Sequence, residues 1–283
     1  MTFARSMVER VVEERAKGDP QEALALRERL GDTIRAATRV RPGSAEAAQI
    51  KDKLVQEGLW SQYLEVGIGP DPEIFTKGQP LSSVGVGAQV GVLERSTWNN
   101  PEPEVVLACS SGGQPVGAML GNDVNLRDFE GRSALLLGEA KDNNASCALG
   151  PFLRLFTADF TIDALRETDV QLRIVGDDGF DITGVSHVGE MSRTFEELIT
   201  HCHGKHHQYP DGFVLFTGTM FAPTDDRETP GEGFTHHSGD LVFIHNDALG
   251  TLVNEVTSAE SATPWTFGAR SLMSNLARRG LLT

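Results

Sequence analysis

Between Ser6 and about Gly58 the apolar positions recur at three-to-four spacing, with Val8, Val11 and Val12 followed by Ala23, Leu24, Leu26 and Leu30 among many Glu and Arg. That period predicts amphipathic helices whose charged faces are solvated. Asp19-Pro20 marks one break between helices and Arg41-Pro42-Gly43-Ser44 another, and Ser44 with Ala45, Glu46 and Gln49 behind it predicts a helix start. Past Gly58 the helical period fades, Gly and Pro become frequent, and short β-branched or aromatic runs stand between turn signals. They predict strands at 104–109, 171–175, 213–217, 241–245 and 252–256, with Ser110-Ser111-Gly112-Gly113 as a hairpin turn. Helices are expected at 194–198 and at 268–279, the terminal one covering an edge. Short strands at loose spacing indicate a β-sandwich or β-barrel. The predicted fold is α+β and predominantly β: a helical segment over 1–66, then a β domain over 67–283.

The chain has 283 residues and is 39% hydrophobic, with no apolar run long enough to span a bilayer, so a soluble protein with a sizeable core is expected. A formal charge of -15 argues against nucleic acid as a partner, because that affinity comes from clustered Lys and Arg. Cys109, Cys147 and Cys202 are too few and too scattered for a disulfide framework. The start, Met1-Thr2-Phe3-Ala4-Arg5, leads into charged residues rather than an export signal, so the expected location is cytoplasmic.

Candidate chemistry begins at Glu102-Pro103-Glu104, two carboxylates two residues apart where a strand starts. On extended backbone they share a face, and such a pair needs water, a cation or a shared proton. A solvated strand end meets that need with water alone, so the pair gains weight only from its surroundings. These are Gly121-Asn122-Asp123-Val124-Asn125-Leu126-Arg127-Asp128 and then Leu137-Gly138-Glu139-Ala140-Lys141 ahead of Gly150-Pro151. With Glu102, Glu104, Asp123 and Lys141 in that order, the chain resembles the fumarylacetoacetate hydrolase family. The resemblance continues through 72–77, Phe216-Thr217-Gly218-Thr219 and 250–256.

The resemblance implies a fumarylacetoacetate hydrolase-like β-barrel or sandwich. It implies that Glu102, Glu104 and Asp123 hold Mg²⁺, or Mn²⁺ or Ca²⁺, with positions left for a chelating 2-keto acid. It places Lys141 beside the substrate and Thr219 as a substrate contact. Within the family the chain is most similar to dehydratases of 2-keto-3-deoxy-pentonates, through Trp98-Asn99-Asn100-Pro101-Glu102-Pro103-Glu104-Val105, the 141–147 stretch, Gln208-Tyr209-Pro210-Asp211-Gly212 and Pro264-Trp265-Thr266-Phe267-Gly268. The implied reaction converts 2-keto-3-deoxy-D-arabinonate to 2-ketoglutarate semialdehyde in oxidative pentose catabolism. Those dehydratases are expected to carry about a hundred further residues ahead of the matched region, the size of a small domain.

The family's hydrolases carry a His and a Glu near the start of the catalytic region to activate water. In the counterpart 2–9, Ser6 stands in the place of the His while Glu9 remains. Serine is no base near neutral pH, so hydrolysis loses its activator and dehydration, which needs no attacking water, is favoured. Glu9 and Lys141 are the candidate catalytic residues, and Arg5, Ser6 and Thr219 the candidate substrate contacts. A C–C bond hydrolase of acylpyruvates or 2,4-diketo acids is the alternative, and a non-catalytic metal-stapled barrel is the second. A homodimer or homotetramer is expected by resemblance.

Three other features carry less. His201-Cys202-His203 with His206 and His207 lacks a recognised zinc spacing and reads as loop histidines with backbone partners. The 85–91 glycine run has no helix and ribose-binding acid behind it. Arg127-Asp128 is expected to be a structural ion pair supporting Asp123.

Overall fold

The computed structural model describes residues 40–221, 223, 225–227 and 233–282. The helices expected before residue 40, and the candidate residues Arg5, Ser6 and Glu9, lie outside the described residues. The chain divides into two compact units, one of 40–75 with 189–210 and one of 76–188 with 211–282. No helix among the described residues is long and apolar enough to cross a membrane.

The first unit is helical. Ser44 caps the helix Ala45–Gln56 by accepting from the Ala47 N–H at 3.1 Å, and Ala47, Ile50 and Leu54 supply its buried stripe. The helix Gln62–Ile68 ends where the Arg193 guanidinium donates to the carbonyls of Val66, Gly69 and Pro70, giving partners to carbonyl groups that a helix end leaves open. The helix Phe195–Cys202 starts with a reciprocal capping box between Thr194 and Glu197. It runs one turn past the predicted 198 because Ile199 and Cys202 continue the buried face of Phe195 and Leu198.

The second unit is built on strands. They are β1 Gln89–Val92, β2 Asn99–Asn100, β3 Pro103–Cys109, β4 Pro115–Asp123, β5 Asn125–Leu126, β6 Cys147–Leu155, β7 Asp169–Val175, β8 Asp181–His187, β9 Phe213–Phe216, β10 Leu241–Asn246 and β11 Gly250–Ser258. Five form a sheet in the order β1-β11-β10-β7-β8, four form a second in the order β6-β4-β3-β9, and β2 pairs with β5. Strands β10 and β11 touch β4 and β6, and β7 touches β3, so the two larger sheets are stacked. Among the described residues the sheets stay open, and the sandwich alternative describes them better than a closed barrel. Their shared core takes Leu172, Ile174, Val242, Ile244, Leu252 and Val256 from one sheet and Val105, Leu107 and Leu120 from the other.

The predicted turn Ser110–Gly113 is present, with the Ser110 N–H bonded to Gln114 O and the Gly113 N–H to Ser110 O. It folds β4 back antiparallel on β3, Glu104 opposite Gly121. The segment between β9 and β10 is pinned by Arg227, whose buried guanidinium pairs with both carboxylate oxygens of Asp240 at 2.6 and 2.7 Å and reaches Asp178 at 3.0 Å. The terminal helix Ala269–Arg278 forms where expected, but none of its side chains is fully buried.

Candidate metal centre and active site

The β3–β4 hairpin assembles the acidic group. Its register, Pro103 on Asn122 and Glu104 on Gly121, carried one step further sets Glu102 beside Asp123, and the Asp123 N–H donates to Glu102 O at 3.0 Å. Alternation puts Glu102 and Glu104 on one face of β3, and residues directly opposite share that face. One oxygen from each of Glu102, Glu104 and Asp123 lies within 4.8 Å of the others. Gly121 makes the space: a Cβ there would stand 2.3 Å from the Phe216 ring and 2.5 Å from Val106 Cγ2. Glu104 is fixed in turn by the Gly218 N–H, which donates to it at 2.6 Å.

Two ammonium groups reach the same cluster. Lys141, at the end of the short helix Leu137–Lys141, donates to Glu102 at 2.6 Å and to Asp123 at 3.0 Å. Lys77 Nζ bonds Ser146 Oγ at 3.1 Å and the Lys141 carbonyl, and stands 3.3 Å from Asp123 Oδ1. Burial pushes the Glu102 carboxyl up to about 7; Lys141 opposes this and the charges of Asp123 and Glu130 add to it. Burial, then the neighbouring acids, drives Glu104 well above the carboxylate range. Burial pulls Lys141 down, but Asp123, Glu102 and Glu130 outweigh it and hold the amine protonated well above its ordinary value.

The residues fit a hard divalent cation. Asp123 Oδ1 is buried and accepts no hydrogen bond, its Lys77 contact being an ion pair without hydrogen-bond alignment. The donor set is carboxylate oxygen throughout, which suits Mg²⁺, Mn²⁺ or Ca²⁺ rather than a thiol- or imidazole-seeking metal. Asn125 Nδ2 bridges Glu102 at 3.1 Å and Glu130 at 2.6 Å, bringing a fourth carboxylate close. Ionising all four carboxylates against the two ammonium groups would leave a surplus of two negative charges, which one such ion would cancel.

Other expected residues fall as follows. Thr219 sits one residue past Gly218, and its hydroxyl donates to the carbonyls of Pro103 at 3.1 Å and Phe221 at 2.7 Å. The expected Arg127–Asp128 ion pair is not formed. Asp128 instead accepts from Ser96 Oγ and the Thr97 N–H, while Arg127 lies over the Trp98 ring and is buried with Nε and Nη2 lacking acceptors. The histidine run builds no metal group among the described residues: His206 Nε2 meets His201 O at 3.1 Å and His207 lies edge-on to Tyr209. Lys77 was not among the residues expected at the site. A single lysine in 72–77 carries no spacing signal, and its role depends on Ser146 and Asp123, remote in sequence.

The fumarylacetoacetate (FAA) hydrolase C-terminal family model matches residues 116–257. The chain is 32% identical over 212 residues to a Haloferax volcanii protein named "Probable 2-keto-3-deoxyxylonate dehydratase", covering 74% of this chain and 69% of that one. It is 32% identical over 192 residues to the 2-dehydro-3-deoxy-D-arabinonate dehydratase of Saccharolobus solfataricus, covering 68% of this chain and 61% of the relative. Among solved structures, a 2-keto-3-deoxy-D-arabinonate dehydratase complexed with magnesium and 2,5-dioxopentanoate superposes with a TM-score of 0.61 at 32% identity, over 70% of this chain and 66% of that one. The chain thus spans less than two thirds of each of these two, 66% of that structure and 61% of the Saccharolobus relative.

Proposed function

The chain belongs to the fumarylacetoacetate hydrolase family, and from that premise we propose that it is a divalent-metal-dependent hydro-lyase acting on a 2-keto-3-deoxy-pentonate. The observation that carries this reading is the meeting of Glu102, Glu104, Asp123 and Lys141, in a chain similar at 32% identity to dehydratases of these acids. The three carboxylates would hold Mg²⁺, the ion in the related complex. When bound, such an ion polarises a 2-keto group and lowers the cost of losing a C3 proton.

The chain's own groups do the rest. The reaction removes a C3 proton and the C4 hydroxyl as water, and later proton shifts leave an aldehyde at C5. In the metal-free protein the acidic neighbours keep Lys141 an ammonium, suited to donate a hydrogen bond to an oxygen gaining charge. A bound cation would weaken that hold, so Lys141 and Glu9 both stand as the C3 base, with Ser6 and Arg5 as substrate contacts. Thr219 is a further contact, next to the Gly218 amide that steadies Glu104. The acceptor-free Arg127 nitrogens supply buried positive character suited to an anionic substrate. A homodimer or homotetramer completes the proposal.

The test is turnover of the 2-keto-3-deoxy acids of D-arabinonate and D-xylonate with Mg²⁺, reading the aldehyde product. Dehydration should be abolished by chelation and by Lys141→Ala or Glu102→Gln. Faster cleavage of an acylpyruvate into two carbon fragments would replace this reading with the hydrolase. Full activity in either variant would remove its residue from the mechanism.

A further inference from the structure

We propose that Asn144 is a positioning residue that clasps the 259–265 arm, fixes the 142–146 loop, and so sets where Lys141 Nζ meets Glu102 and Asp123. The inference rests on the reading above that these groups form the site. Asn144 Nδ2 lies 3.1 Å from Ala259 O, 3.2 Å from Ala262 O and 3.3 Å from Thr263 O, so three carbonyls share its two hydrogens. Its Oδ1 accepts from the Trp265 N–H at 3.3 Å. One half-buried side chain therefore holds both ends of the turn that leaves β11, and it stands three residues after Lys141.

The loop needs such a clasp. Ala145 has φ 59°, a left-handed conformation that costs a residue with a Cβ about 1–2 kcal/mol and persists only where surroundings enforce it. On one side the Gly91 N–H donates to Ala145 O at 3.0 Å. Loop and arm meet at Gly91, where a Cβ would stand 2.2 Å from Asn144 O and 2.9 Å from Ala259 Cα. The arm is anchored there in turn, the Ala259 N–H donating to Val92 O at 2.8 Å.

From the loop the restraint passes to the lysine. Ser146 Oγ donates to Lys141 O at 2.9 Å and accepts from the Asn143 N–H at 2.9 Å. Asn143 Nδ2 donates to Glu139 O at 2.8 Å, closing the turn on the lysine's own helix. The motifs 141–147 and 264–268, separate in sequence, are thereby two halves of one clasp.

The test compares Asn144→Ala and the isosteric Asn144→Asp, which keeps the acceptor for Trp265 but faces three carbonyls with an oxygen. Hydrogen–deuterium exchange, the Mg²⁺ dissociation constant and steady-state kinetics are measured on the full chain. Exchange at 142–146 and 259–265 should accelerate by about tenfold or more with the rest of the second unit unchanged. The kcat should fall on the order of 10–100-fold, as misplacement of a catalytic group by about 1 Å does. KM and the Mg²⁺ constant should stay within about threefold of wild type, since substrate and metal contacts are intact.

Unchanged exchange at 142–146 in both variants overturns the proposal. Loss of Mg²⁺ affinity, or faster exchange across the whole second unit, does so too, because each marks a general structural role. Should Asn144→Ala not fold, the isosteric variant decides. Should wild-type protein turn over neither keto acid, the proposed function fails while local acceleration of exchange still supports the clasp.

Discussion

Replacing Glu102 by Gln should make the metal-free protein more stable at pH 8 and leave it deaf to magnesium. Burial raises this carboxyl from an ordinary 4.5 to about 7, and at about 1.4 kcal/mol per unit that difference is about 3 kcal/mol. Because the folded value lies above the unfolded one, the stabilisation belongs to the protonated form. It is complete below pH 4.5 and lost as pH rises through about 7. Glutamine imitates the protonated carboxyl at every pH. Without metal, the variant should lead wild type by about 1 kcal/mol or less near pH 5 and by about 3 kcal/mol by pH 8.

His236, which burial holds below its usual value, is common to both proteins and cancels in the difference. Saturating Mg²⁺ should reverse the order: wild type gains about 4.1 kcal/mol at a thousandfold excess over its dissociation constant, and the variant gains far less. Urea unfolding with EDTA or MgCl₂, from pH 5 to 8, reads both effects. A variant less stable than wild type at pH 8 without metal, or a difference that ignores pH, would refute the placement of Glu102 in a buried acidic cluster.

Gly121→Ala should cost about 1–3 kcal/mol by overpacking, since its Cβ would stand 2.3 Å from the Phe216 ring. It should also weaken Mg²⁺ binding, because Glu104 is directly across; denaturant melts and calorimetric titration check both. Arg227→Ala strands the buried Asp240 carboxylate and should lower stability by about 3–5 kcal/mol in the same melts, with the Mg²⁺ constant unmoved.

The Glu-x-Glu pair was legible because a strand's period of two is local, and the Ser110–Gly113 turn because its residues name it. That Asp123 comes back beside Glu102 depends on the register across that turn, and only the resemblance pointed to it. Strands β4, β6 and β8 were not predicted: Gly117, Gly121, Gly150 and Gly184 break their apolar runs, and Gly117, Gly121 and Gly184 make room for a neighbouring side chain or strand. Lys77 and Asn144 escaped for a similar reason. A lone lysine or asparagine acquires a role only from partners some fifty to a hundred and twenty residues away. Arg127 was read as the partner of its sequence neighbour, whereas Trp98 and Ser96 divide the pair between them.

The Ser110–Gly113 turn touches no ligand, yet it acts as the ruler for the centre at the far end of its hairpin. Gly113, at φ 76°, is held to glycine, and the other positions can vary so long as the turn closes. Inserting or deleting a single residue would slide β4 by one position on β3 and send the Asp123 carboxylate through the sheet to the opposite side. For this protein, loop length is thus a chemical parameter: a silent-looking indel some twenty ångströms or more from the acids, at about 3.3 Å per strand residue, would erase metal binding as surely as mutating a ligand.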